Sequence, residues 1–169
     1  GGWTISWQGN PGPITKGTTI LDAVKSVKGE ENVFFSLEGK PDKKADYAIV
    51  VVGETPYAEG VGDNPNPSLK AEDLKVIENV KKLKIPYVVL IISGRPIILG
   101  DVIKDAPAVV ACWLPGTEAS GITDVIFGDY DFKGKLSHTW PISIDQEPIN
   151  FGDANYSPLF PYGFGLTMK

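Results

Sequence analysis

Cysteine is almost missing from this sequence. Cys112 is the only one, so no internal disulfide can form and cysteine usage leaves the redox compartment open. It stands in the apolar run AVVACWL (108–114), where a buried, inert thiol is expected rather than a nucleophile. Histidine is equally scarce. His138 stands alone and no spacing suits metal ligands, so neither a metal nor another cofactor is expected. Its place in the alternating stretch GKLSHTW (134–140) points to a structural role on a strand. Positive charge is thin as well: 16 Lys and Arg against 21 Asp and Glu give a net charge of -5. No basic cluster could track phosphates, which argues against nucleic acid as a partner. Apolar runs such as YVVLII (87–92) are far too short to cross a bilayer, so no membrane partner is expected. No signal-peptide pattern opens the chain, and GGWTISWQGN starts without methionine, so a mature or proteolytic piece of something longer is expected. NYS (155–157) is the only glycosylation sequon, because proline spoils NPS (66–68), and Pro158 weakens even that one.

What remains is an ordinary globular composition, 42% hydrophobic and 22% charged, in 169 residues. That is enough for a single domain over 1–169 with its own core. Helical periodicity alternates with short β-branched runs. TTILDAVKSVKG (18–29) puts Ile20, Leu21, Val24 and Val27 on one helix face, with Thr18 or Thr19 as cap and Gly29 as stop. KAEDLKVIENVKKLK (70–84) does the same with Leu74, Ile77, Val80 and Leu83, acids early and lysines late. The runs at 32–37, 47–52, 87–92, 108–114 and 134–140 read as strands. A short helix is expected over 97–105 and another over 118–128. This order implies an α/β fold: a three-layer α/β/α sandwich around a mainly parallel sheet, with flavodoxin-like layering. Ligands in such sheets sit beyond the carboxyl ends of the strands.

One loop at such an end needs a reason. YAIVVVGETPYAEGVGDNPNPSLK (47–70) runs from a strand into a long segment carrying Glu54, Glu59 and Asp63. Glu54 directly follows the strand, where it could cap a turn or pair with a lysine. Glu59 lies among small residues that allow an exposed, adjustable backbone, as a general acid would need, although a merely solvated acidic loop has the same composition. Trp3 and Trp7 offer flat indole faces of the size of a sugar ring, yet tryptophan more often marks core or interface. SGRP (93–96) and WLPGTEASG (113–121) also follow strands, and such turns could receive an anion. Neither has a dinucleotide or P-loop pattern, which leaves a flavodoxin-like small-ligand binder as a weak rival.

Taken together, GGWTISWQG, GTTILDAV, YAIVVVGETPYAEGVGDN, LIISGRP, ACWLPGTEASGITDVIFGDYDFKGKLSHTW and SPLFPYGFGLT span almost the whole chain. In this order they resemble the second, α/β-sandwich domain of plant family 3 glycoside hydrolases, the β-D-glucan exohydrolases and β-glucosidases. The resemblance implies that Glu59 is the acid/base glutamate and that Trp7 is an aromatic clamp of the aglycone subsite, with Trp3 near it. It implies a β-glucan or β-glucoside as substrate and an extracellular or cell-wall location. It also implies a partner, a (β/α)₈ barrel domain that carries the nucleophilic aspartate. Retaining hydrolysis needs two carboxyl groups about 5–5.5 Å apart, so a chain with one of them is expected to be inactive alone. GDNPNPSLK is proline-rich and short for the family, which could alter the loop's path. The other reading is a stand-alone carbohydrate-binding or storage protein that kept the sandwich without turnover.

Overall fold

The computed structural model describes residues 2–168. The chain forms α1 (Ile20–Lys28), β1 (Ala48–Gly53), α2 (Ala71–Lys82), β2 (Tyr87–Ile92), α3 (Val102–Asp105), β3 (Val109–Trp113) and α4 (Ser120–Ile126), in that order. The three strands make one parallel sheet in the order β1-β2-β3. All three are continuous apolar runs, but only β2 is covered on both faces: Val51 of β1 is 46% exposed, contrary to the coverage its run suggested, and β3 is half-buried.

Right-handed crossovers in this strand order put α2 and α3 on one face of the sheet. The core agrees. Val50, Val52, Val89 and Ile91, at alternate strand positions, cluster with Ile77 and Val80 of α2 and Val102 of α3. Leu90, on the opposite pleat, is fully buried as well. α1 packs on α4, and their buried Ala23, Val24 and Thr123 lie outside the first cluster, forming the second helical layer. The result is the expected three-layer α/β/α sandwich.

Local signals explain the ends of α1. Thr19 Oγ1 accepts from the Asp22 amide (3.1 Å) and donates to the Asp22 carboxylate (2.7 Å), while Gly29 stops the helix with φ of 85°. α2 has no side-chain cap. It has Glu72 and Asp73 in its first turn and Lys81 and Lys82 in its last, which complement the helix dipole.

Several expected elements are shorter or absent. Residues 32–37 are not a strand: a 3-10 turn over Glu30–Asn32 runs into irregular chain that leaves Leu37 81% exposed. Among the described residues no neighbouring strand pairs with it, and β-propensity alone supplies no hydrogen-bond partners. The 134–140 segment forms no named strand among the described residues: it has an isolated antiparallel bridge between Trp140 and Phe160, and Leu136 N donates to the Phe164 carbonyl at 2.7 Å. Trp140 is nonetheless a core residue, its Nε1 donating to the Ile97 carbonyl at 2.8 Å. His138 therefore lies on no strand and is exposed, a correction to its expected structural place. The helix expected over 97–105 keeps only Val102–Asp105, because Ile98 N bonds to the Pro67 carbonyl (2.7 Å) in extended chain. Val27, Leu74 and Leu83, expected on the buried helix faces, are exposed.

Candidate active site

The site begins where β1 ends. Gly53 has φ of 148°, and a Cβ there would be driven into the Ile92 carbonyl oxygen. Only glycine lets the backbone come this close to β2. That same oxygen accepts from Glu54 N at 2.9 Å, which brings Glu54 to the SGRP turn after β2.

Glu54 is fully engaged there. Its carboxylate accepts from Arg95 Nε (2.9 Å), the Gly94 amide (3.3 Å) and the Tyr57 hydroxyl (3.0 Å), and lies 2.8 Å from Arg95 Nη2. Its side chain is 12% exposed. A charge so shielded needs these donors, since an unpaired carboxylate at this depth would be costly. The Arg95 guanidinium also sits over the Tyr57 ring, 4.4 Å from its centroid, and the edge of Trp3 meets that ring at 4.6 Å and 75°. Gly62 and Gly94 let the backbone close around Tyr57, for a Cβ on either would crowd its ring or hydroxyl. The SGRP turn meets an anion of the chain itself rather than a ligand. The anion is the chain's own Glu54, and its partner is an arginine rather than a lysine.

This anchor leaves the far side of the loop open. Ala58 N donates to Gln8 Oε1 at 2.9 Å, tying the loop to the N-terminal segment. Next comes the 3-10 turn Glu59–Gly62, closed by Asp63 N on the Gly60 carbonyl (3.1 Å). Glu59 is exposed, its carboxylate has no hydrogen-bond or ion-pair partner among the described residues, and its φ is 48°. A non-glycine residue held in that region costs about 1–2 kcal/mol. Trp7 is 70% exposed and adjoins Gln8, so the Gln8–Ala58 bond sets Trp7 and Glu59 one residue away on either side. Trp3 is different: its ring is committed to Tyr57. Glu59 and Trp7 are thus exposed residues flanking the contact between the loop and the N-terminal segment, whereas Trp3 is part of the scaffold. Gln8, Tyr57 and Arg95 carry no functional pattern in sequence, apart from the SGRP turn itself.

The scaffold has a pH signature. Tyr57 is pushed up to about 12, by burial first and then by the hydrogen bond and negative charge of Glu54, against the opposing Arg95. Burial pushes the Cys112 thiol up to about 12, which keeps thiolate scarce at neutral pH. Both groups hold their protons in the folded chain above the pH at which the unfolded chain loses them. Their contribution to stability is complete below about pH 9 and is lost as pH rises toward 12. Thermal melts across this range should show a falling melting temperature. The fall should be shallower in Tyr57→Phe and in Cys112→Ala. An unchanged slope in both variants would refute the assignment.

Known proteins share this fold and much of this sequence. The exo-1,3/1,4-beta-glucanase from a Pseudoalteromonas species superposes with a TM-score of 0.86 at 39% identity, over 99% of this chain and 23% of that one. A beta-xylosidase of Formosa agariphila is 30% identical over 88% of the chain and 25% of its own length. A periplasmic beta-glucosidase of Salmonella typhimurium is 30% identical over 74% of the chain and 19% of its own length. The chain thus spans about a quarter or less of these relatives. The profile of the glycosyl hydrolase family 3 C-terminal domain matches residues 1–168, and the chain belongs to that family.

Proposed function

We propose that residues 1–169 are the single acid/base-bearing sandwich domain of a retaining β-glucosidase or β-glucan exohydrolase. Glu59 is the general acid and base, Trp7 stacks on the aglycone sugar, and Trp3 supports both through Tyr57. The observation that carries this reading is the division of labour in the loop. Glu54 is saturated with donors while Glu59, five residues on, is exposed and free. A general acid must reach the departing glycosidic oxygen, and a carboxylate already holding several donors cannot.

The second carboxylate comes from elsewhere. In a retaining site the nucleophile stands about 5–5.5 Å from the acid, on the other side of the scissile bond. Asp63 and Glu54 belong to Glu59's own loop and cannot face it across a sugar ring. A barrel domain supplies the nucleophile and most of the glucose pocket, and this domain closes it. Substrates are β-glucosides or β-glucans, and the working location is extracellular or in the cell wall. Among the described residues no helix is long and apolar enough to cross a membrane.

The test is to assay the chain alone and joined to the barrel domain of a family relative, with aryl β-glucosides. Activity is expected only in the joined protein. Steady turnover by the isolated chain would overturn the division of labour. A correctly assembled, inactive fusion that still binds glucosides would favour the binding or storage reading.

A further inference from the structure

A second feature lies beside the loop and takes no part in the roles given to Glu59 and Trp7. An open groove of about 450 Å³ runs between the 64–67 stretch, the SGRP turn and the segments 137–141 and 147–151, with Tyr162 at its side. This volume falls within the ~300–1,000 Å³ range of small-ligand sites. Two six-membered rings line it: Phe151, 72% exposed, and Tyr162, 56% exposed, with centroids 5.8 Å apart. They are held in place. Phe151 also meets Tyr156 edge-on at 5.9 Å. The Tyr156 hydroxyl, in turn, accepts from Tyr162 N (2.8 Å) and bonds to Thr139 Oγ1 (3.0 Å). Four prolines, Pro67, Pro96, Pro141 and Pro148, stiffen the walls.

The polar lining selects the ligand class. Among the described residues Arg95 is the only lysine or arginine on the groove, and its charge is already taken by Glu54. Glu147 adds a negative charge with no ion pair among the described residues. A phosphate or carboxylate ligand would find no free positive charge there. What is left over is neutral: the side-chain amide of Asn150 and the Asn64 Nδ2 have no hydrogen-bond partner among the described residues, and Ser137 and His138 bond only to each other. Rigid exposed rings beside unengaged amides and hydroxyls suit a molecule with apolar ring faces and a rim of hydroxyl groups.

We propose that this groove is a carbohydrate subsite that takes the extended part of a neutral oligosaccharide. Asn64 and Arg95 belong both to the groove wall and to the segments that build the acid-bearing loop, so a bound chain would lie alongside that loop. The glycosidase reading guides only the choice of probes; the binding itself requires no catalysis.

Titrating the isotope-labelled 169-residue chain with cellotriose and with laminaritriose, followed by NMR, tests the proposal. Saturable shifts are expected at the Asn64 and Asn150 side-chain amides and at the Phe151 and Tyr162 rings. Tyr162→Ala should weaken binding about tenfold, the equivalent of roughly 1.4 kcal/mol. Asn150→Ala, at an exposed position, is a second variant that should weaken binding without disturbing the fold. Shifts confined to Trp7 and its neighbours, or no shifts up to the solubility limit of either sugar, would overturn the subsite. So would inorganic phosphate binding in the groove in preference to the sugars. Loss of activity in a Glu59 variant leaves these shifts unchanged, so the two readings fail separately.

Discussion

Replacing Glu59 with glutamine is expected to lower turnover of cellobiose by about 10²–10⁴-fold in the barrel-joined enzyme, the usual contribution of a positioned general acid. Glutamine keeps the size and the open position of the side chain but cannot give up a proton. The loss should therefore depend on the leaving group. Glycosides of acidic phenols depart without protonation and should keep most of their first-step rate, while cellobiose should suffer most. Glu54→Gln supplies the contrast. Glu54 lies under Arg95, Gly94 and Tyr57, and its removal leaves the guanidinium without its partner. It should reduce rates on all leaving groups alike and lower the melting temperature, as expected of a residue that positions the loop and exchanges no proton. An undiminished Glu59→Gln rate on cellobiose would show that another residue is the acid. A leaving-group dependence in Glu54→Gln as steep as in Glu59→Gln would show that the two roles have been exchanged.

The largest effect on folding should come from one methyl group. Gly53→Ala adds a Cβ that collides with backbone, the Ile92 carbonyl oxygen, carbon and nitrogen, at a residue whose φ of 148° an L side chain resists. Neither obstacle can yield by a rotamer change. The strand end must separate from β2, with loss of the Glu54 N bond to Ile92 O and of the register that delivers Glu54 to Arg95. A cost of about 4 kcal/mol or more belongs to the severe end of single substitutions. In a domain of this size it corresponds to a fall in melting temperature of roughly 8–16 °C, or to failure to fold where total stability is near the usual lower limit of about 5 kcal/mol. Gly60→Ala is the control. Gly60 lies on the same loop, a methyl group there would meet nothing within 4 Å, and the change should stay within about 0.5 kcal/mol. Equal melting temperatures for the two variants would contradict the close approach of β1 to β2.

Patterns confined to a few neighbouring residues were legible without coordinates. The runs at 47–52, 87–92 and 108–114 read as strands because each is apolar at consecutive positions and short, although only β2 is buried on both faces and Val51 of β1 is 46% exposed. Thr19 and Gly29 delimited α1 for equally local reasons, through a side-chain cap and a positive φ. The loop after β1 stood out because its acids had nothing to bury. Longer-range questions were closed to such reading. VFFSL looked like a strand, but a strand exists only with a neighbour, and none among the described residues comes to 32–37. That Glu54 would be the engaged acid of this loop was decided by Arg95, 41 residues from it. That Trp3 would brace Tyr57 while Trp7 stayed open depended on the meeting of the N-terminal segment with the loop, through a bond between Gln8 and Ala58, 50 residues apart. His138, expected on a strand, became a groove residue because 134–140 pairs with 160–164 through scattered bonds rather than a continuous ladder. Chemical type and local periodicity are properties of the sequence; the pairing of charges and the freedom of a carboxylate are properties of distance, and only the folded chain sets distances.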